Sequence, residues 1–394
     1  MLKAKLSIFA AALILMTGCQ SNRKSQNQAA TDQWNMARAG VQYGLAKQQY
    51  ETGNFDKSRE SIQMGLKLEP NNPALRILSA KVAIEQGQLE LAEKELERAR
   101  TAAPSNAEAD YLSGVVYQRW QRIETAYDFY TSASEKAPAE LAYLLARSEM
   151  LVAMDRAPEA LALLKDKVVY FEHSGAIRDA AGQLLMQQGR YAEAASMLRE
   201  ASILSEDDQG IRERLGMALY WAKDYAGAQE VLGRLVKQEA MADRFDLILA
   251  LGECQMHTGR MREARSNFEL AARLKPESAA AWRALGRSAL AENDLKRAEI
   301  SVRRSLAIED QSSQGYLLMG TVRLRQGRLS EALEAFRMAN RLDGSDTVSL
   351  CMIGYTLEKS GEGERAMDYY RQALRMRPGD ELAARLLAGV DVGQ

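Results

Sequence analysis

Along most of the chain, apolar residues recur at helical spacing, and they do so in paired segments. In residues 279–312, Trp282, Leu285, Gly286 and Ala289 follow the three-and-four spacing of one amphipathic helix, and Leu295, Ala298, Val302 and Leu306 that of a second. A short turn lies between them. Its place is taken here by Asn293, and in other pairs by Gly53, Gly87, Gly189, Gly259, Gly327, Gly361 and Asp155, residue types that end a helix in the left-handed region. Each pair leaves one apolar flank uncovered, so successive pairs are expected to stack. The start of the chain is patterned differently: Lys3 and Lys5 precede an unbroken apolar run from Leu6 to Met16. A run of that length at ~1.5 Å per helical residue falls short of a ~30 Å hydrocarbon core, which points to a secretory signal at residues 1–18. From Gln20 to Asp32 no aliphatic residue exceeds Ala, and residues 19–38 are expected to be a polar, flexible tether.

The pairing keeps a strict period. Small residues stand at Ser58, Ala92, Ala126, Ala160, Ala194, Ala228, Ala264, Ala298, Ala332 and Ala366, every interval being 34 except one of 36. A second series, twelve residues earlier, runs Ala46, Ala80, Gly114, Ser148, Gly182, Gly216, Gly252, Gly286, Gly320 and Gly354. Pro70, Pro104, Pro138, Pro276 and Pro378 keep the same spacing once the two extra residues are counted. The small residues of the two series are expected to meet where the helices of a pair cross, so a large side chain at either would cost ~1–3 kcal/mol.

Period, small residues at the eighth and twentieth places and Pro at the thirty-second resemble the tetratricopeptide repeat. The resemblance covers ten repeats: 39–72, 73–106, 107–140, 141–174, 175–208, 209–244, 245–278, 279–312, 313–346 and 347–380. It implies an all-α, right-handed superhelical solenoid of helix-turn-helix repeats, with residues 381–389 forming a capping helix on the last open flank. Lys167 and Leu235 occupy the twenty-seventh place, usually Ala, and neither repeat has the closing Pro. With the insertion near Met241 to Arg244, these departures suggest a soft boundary between a block of six repeats and a block of four. At the other end, Met16-Thr17-Gly18-Cys19 resembles a bacterial lipobox, in which the Cys carries acyl chains and tethers the mature protein to a membrane. Gln20 after that Cys suggests, by the same resemblance, the outer membrane facing the periplasm. Several acyl chains at ~0.8 kcal/mol per buried methylene would hold it there stably.

Charge narrows the function further. The 52 basic and 53 acidic residues are interspersed, for a formal charge of -1, so there is no basic stripe for nucleic acid. His173 and His257 are the only histidines, which rules out a paired-histidine zinc helix, and no glycine-rich phosphate loop occurs. Cys254 and Cys351 lie about three repeats apart, beyond the ~7 Å reach of a disulfide, and are expected to be packed or groove-facing thiols. No enzyme, metal, cofactor or small-molecule substrate is expected.

In the repeat family, first helices line an inner wall through their second, fifth, ninth and thirteenth places. Carried over by register, the wall includes Tyr43, Tyr111 and Arg283 at fifth places, Lys47, Lys81, Met217, Arg287 and Tyr355 at ninth places, and Arg119, Trp221, His257 and Arg325 at thirteenth places. Exposed Tyr, Trp and Arg are the residues that most often dominate protein interfaces. Met217, Tyr220 and Trp221 are expected to make an apolar anchor, and Arg283, Arg287 and Arg325 to converge on a carboxylate. Tyr43 and Ile77 break the Lys and Asn pattern with which chaperone-binding members clamp a terminal carboxylate.

The chain therefore resembles lipoproteins that help assemble pilus secretins, tight-adherence pili and polysaccharide exporters, whose partners are proteins or peptide segments of an envelope assembly. Two other readings remain open at this level: a targeting subunit for a peptidoglycan- or glycan-modifying enzyme, and a soluble periplasmic, chaperone-like holder.

Overall fold

The computed structural model describes residues 28–392, which form 21 α-helices and no strand. The chain divides into two compact units, Met1–His173 and Ser174–Gln394. In the first unit, α1 (28–51) is followed by α2 (Phe55–Leu68), α3 (Pro73–Glu85), α4 (Leu89–Ala102), α5 (Ala107–Arg119), α6 (Ile123–Lys136), α7 (Leu141–Ala153) and α8 (Ala157–Lys167). The second unit contains α9 (Gly175–Gln187), α10 (Tyr191–Leu204), α11 (Gln209–Trp221), α12 (Tyr225–Leu235), α13 (Phe245–His257), α14 (Met261–Leu274) and α15 (Ala279–Ala291). It continues with α16 (Leu295–Ile308), α17 (Ser313–Arg325), α18 (Leu329–Leu342), α19 (Thr347–Lys359), α20 (Gly363–Met376) and α21 (Glu381–Val392). In each unit, helix pairs stack in sequence order, each element packing chiefly on its chain neighbours.

Local chemistry sets the ends of these helices. Side chains just before the first helix of a repeat accept from its free backbone amides: Asn72 from Leu75 N at 3.0 Å, Asp208 from Ile211 N at 3.0 Å, and Ser312 from Gly315 N at 3.2 Å. Within every repeat the first helix stops two residues before a position of positive φ. Six of these are the expected glycines, two are Asp155 and Asn293, and the remaining two are Gln121 and Lys223, which residue type alone did not reveal. The left-handed turn thus recurs in all ten repeats whatever side chain it carries.

The crossing of the two helices differs from the expectation in one respect. The eighth-place glycine faces the twenty-fourth-place side chain of the second helix rather than the twentieth-place Ala. A Cβ at Gly114 would lie 2.5 Å from the Tyr130 ring, and the same holds for Gly320 with Phe336 and Gly354 with Tyr370, while Gly252 would meet Phe268 at 2.6 Å. Every aromatic ring at the twenty-fourth place is therefore matched by a glycine at the eighth. Repeats with an aliphatic residue there admit Ala or Ser, as in the residue pairs Ala46 and Ile62, Ala80 and Leu96, and Ser148 and Leu164. The twentieth-place alanines are themselves fully buried.

Neighbouring repeats are tied at a fixed place as well. Arg59 bonds Gln86, Arg265 bonds Glu292 at 2.5 Å, and Gln326 bonds Glu299 at 2.8 Å, each joining the twenty-first place of one repeat to the fourteenth of the next. Glu299 also receives Arg323 at 2.9 Å and Arg303 at 2.7 Å, and the Arg323 side chain is only 8% exposed.

Lys167 and Leu235 are where second helices end early: α8 and α12 have 11 residues where the other second helices have 14, and each is followed by a short 3-10 turn. The unit boundary falls after the first of these departures, between His173 and Ser174, and not at the insertion near Met241 to Arg244. At the C-terminal end α21 covers the last flank, with Ala383 buried against Leu350, Cys351 and Ala373 and with Leu386 and Leu387 packed beside it. Asp380 starts α21 by accepting from Ala383 N at 3.0 Å and from the Thr347 hydroxyl at 2.6 Å, bonds that hold its carboxyl below the usual range. At the other end, the stretch expected as tether is helical from residue 28 onward, because Ala, Gln, Met and Arg favour helix and Ala39 and Ala46 pack against Ile62 and Leu75. The signal, the lipobox and Cys19 lie outside the described residues.

Candidate protein-docking groove

First helices of four successive repeats in the second unit, α11, α13, α15 and α17, form a groove of about 520 Å³. Leu249, Leu290, Leu317 and Leu318 make its apolar surface, and Tyr220 lies at its edge. Glu253, Arg283 and Arg287 supply its charge, with Gln314 and Thr321 as neutral polar groups. Helical geometry explains the selection: apart from Leu318 at a sixth place, the lining residues stand at second, fifth, ninth and twelfth places, which lie three or four residues apart and so share one face.

Both groove arginines are already engaged. Arg283 Nη1 donates to Glu309 Oε2 at 2.6 Å and to Ser312 Oγ at 3.3 Å, while Arg287 Nη2 donates to Glu253 Oε1. Burial raises the Tyr220 phenol above its ordinary value, aided by the negative charge of Glu253. Tyr220 remains a neutral hydrogen-bonding group at physiological pH.

Beside the groove runs a chain of rings. Tyr191 lies 6.0 Å from Trp221, Trp221 4.9 Å from Tyr220, and Tyr220 6.4 Å from Tyr225, whose ring stacks on His257 at 4.0 Å and 4°. Trp221 is 51% exposed, and His257 is exposed too. Tyr220 is thus shared by the groove and the ring chain. Met217 is half-buried on α11 and does not line the groove.

The remaining positions separate into distinct settings. Arg325 is exposed but does not line the groove, so the trio of arginines reduces there to Arg283 and Arg287. Tyr355 is covered in part by Lys359, whose ammonium lies 5.2 Å from the ring centre. In the first unit, Arg119 donates to the Ile84 carbonyl at 2.8 Å and so closes the end of a preceding helix. Tyr111 stacks on Tyr143 at 4.7 Å, Lys81 pairs with Glu108 at 2.5 Å, Lys47 with Glu51 at 3.9 Å, and Tyr43 packs against the core around Ile62.

Place-by-place transfer missed Leu290 and Leu318, which complete the apolar surface. Leu290 is three residues beyond Arg287 on the same helical face, so the period itself carried the signal. Cys254 and Cys351 are both buried, and burial pushes their thiols up to about 12 and about 11. Among the described residues no cluster of three or more His, Cys, Asp or Glu is placed to hold a metal ion, and no helix is long and apolar enough to cross a membrane.

Paired helices on a fixed period, a left-handed turn in every repeat and a groove built from first helices define a tetratricopeptide-repeat protein. The general tetratricopeptide repeat family matches residues 63–114 and 185–250, and the family described as cilia and flagella-associated protein 70 C-terminal domain matches residues 222–394. Among solved structures, the crystal structure of MamA is 22% identical, with a TM-score of 0.38, over 42% of this chain and 95% of that one. The crystal structure of the APC/C hetero-tetramer Cut9-Hcn1 is 12% identical, with a TM-score of 0.47, over 90% and 96%. No curated protein sequence matches the chain significantly.

Proposed function

We propose that this protein is an interaction scaffold of the bacterial cell envelope, tethered through acyl chains on Cys19 to the outer membrane and facing the periplasm. There it docks segments of partner proteins during assembly of a pilus, secretion or polysaccharide-export machine. The observation that carries the docking role is the groove between Tyr220 and Leu318, where leucines from three helices stand beside two guanidiniums. Such a surface offers apolar burial and directional charge together, the combination that interface anchors use. The anchoring role is supported by the Lys-apolar-Cys layout of residues 3–19.

A photo-crosslinking side chain placed at Thr321, in the groove, tests the docking role in intact cells. One or a few discrete protein adducts are expected, and they should be lost when Leu317→Glu is introduced. Adducts to no protein, or an unchanged pattern in that variant, would remove the reading. Cys19→Ser tests the anchor separately: the product should leave the membrane fraction, and its retention there would exclude attachment through this Cys.

A further inference from the structure

The two arginine pairs of the groove are not equivalent. Glu253 lines the groove, with its side chain only 13% exposed, and it holds Arg287 in place beside the leucines. Glu309 is 50% exposed, lies just past the end of α16 and is not part of the groove lining, yet it occupies Arg283, whose own side chain is 19% exposed. An exposed carboxylate held by one oxygen is a weak partner that solvent and other anions can replace. Both bonds made by Arg283 leave from Nη1, so its second terminal nitrogen and Nε remain open to an incoming group. Within the lining, two guanidiniums face one carboxylate. Removing Glu309 leaves one positive charge to be matched.

We propose that the groove takes an extended segment of a partner protein that places a Leu- or Phe-sized side chain on Leu249, Leu290 and Leu317 and a carboxylate, one or two residues away, on Arg283. Glu309 is the internal stand-in for that carboxylate. It keeps Arg283 oriented in the empty groove and swings into solvent when the partner's acid arrives. Glu253 stays, because its displacement would leave a largely buried acid unpaired. This inference rests on the groove being the docking site. It adds the chemistry of the occupant and an internal competitor that sets its affinity.

The test uses the whole chain and three fluorescein-labelled peptides in a Gly-Ser background, carrying Leu-Ser-Asp, Leu-Ser-Asn or Ala-Ser-Asp, titrated by fluorescence anisotropy to millimolar concentration. Replacing Asp by Asn, or Leu by Ala, should weaken binding about tenfold, the size of one charge-assisted bond or one buried side chain. Arg283→Gln should abolish discrimination between the Asp and Asn peptides. Glu309→Gln changes an exposed side chain and tests the competitor without endangering the fold. It should tighten the Asp peptide by about threefold or more, an ordinary strength for an exposed ion pair, and leave the Asn peptide unchanged. Equal binding of Asp and Asn peptides, no effect of Glu309→Gln, or no binding of any peptide would overturn the proposal. Crosslinked adducts at Thr321 that these peptides fail to compete away would overturn the acidic-segment chemistry while leaving the docking role standing.

Discussion

The pairing of an eighth-place glycine with a twenty-fourth-place ring makes Gly320→Ala a sharp test of how these hairpins close. The added methyl would lie 2.5 Å from Phe336 Cε1 and 2.6 Å from Cδ1, and the Phe336 ring is fully buried. Overpacking of this kind costs ~1–3 kcal/mol, against a gain of ~1 kcal/mol because Ala is the better helix former. Gly44 supplies the matched control. It also sits inside a helix, but a Cβ there would meet nothing within 4 Å, so Gly44→Ala should stabilise α1 by up to ~1 kcal/mol. The difference between the two variants isolates the steric part at ~1–3 kcal/mol. Adding Phe336→Leu to Gly320→Ala recreates the arrangement of Ala80 with Leu96 and should recover most of that loss. Because repeat arrays open piecewise, the measurement is native-state hydrogen exchange of amides in α17 and α18, with α1 read for the control. If Gly320→Ala slows exchange in α17 and α18 as Gly44→Ala slows it in α1, or if adding Phe336→Leu changes nothing, the crossing is not held by this contact.

Three further outcomes follow from the same geometry. Gln121→Gly and Lys223→Gly each relieve a positive φ on a side-chain-bearing residue and should raise local stability by up to ~1 kcal/mol, read as slower exchange in the flanking helices; faster exchange would refute the strain. Glu299→Ala strips the main partner from the buried Arg323 guanidinium, leaving Glu331 at 3.4 Å and the Gln326 amide oxygen at 3.2 Å, and should cost ~2–3 kcal/mol in denaturant unfolding, well above the effect of removing the exposed pair partner Glu230; equal effects would show that burial of this network carries no weight. The Cys254 thiol, raised to about 12, should resist alkylation at pH 8 until the chain is unfolded. Its raised value also means that the unfolded thiol ionises first. Its contribution is therefore complete below about pH 9 and is lost as pH rises toward 12, so Cys254→Ala should flatten the alkaline fall in stability relative to the unaltered chain.

The repeating architecture was legible because it is written in period: the small-residue series, the prolines and most of the turn glycines placed the helix pairs, and α21 lies where the exposed last flank required a cover. What period could not reveal was which side chain fills a given space. Gly320 and Ala332 announce a close crossing, but only the helix geometry shows that the Phe336 ring, four residues beyond the alanine, is what enters the glycine gap. The groove followed the same rule. Arg283 and Arg287 were placed by register, whereas Arg325, one repeat on and at the end of its helix, is not part of the groove lining. Arg119 looks like a wall cation in sequence but spends its charge on the Ile84 carbonyl, a use that depends on where a neighbouring helix ends. Residues 28–32 read as linker because no aliphatic residue larger than Ala marks them, although their helix-forming composition lets α1 begin there.

Because the side chain that enters each glycine notch comes from the same few dozen residues as the notch, a hairpin carries its own lock and key. A stretch of gene encoding one such module can be duplicated, lost or exchanged without renegotiating the interior of its neighbours, which see only an apolar flank and a tie at a fixed position. The two extra residues between Met241 and Arg244 show this tolerance at work: they fall in a connection between modules, and the repeats on either side, with Gly216 against Leu232 and Gly252 against Phe268, close as all the others do. Length in such a chain is a matter of inheritance more than of folding, and the reach of the scaffold can change while the fit inside every hairpin stays the same.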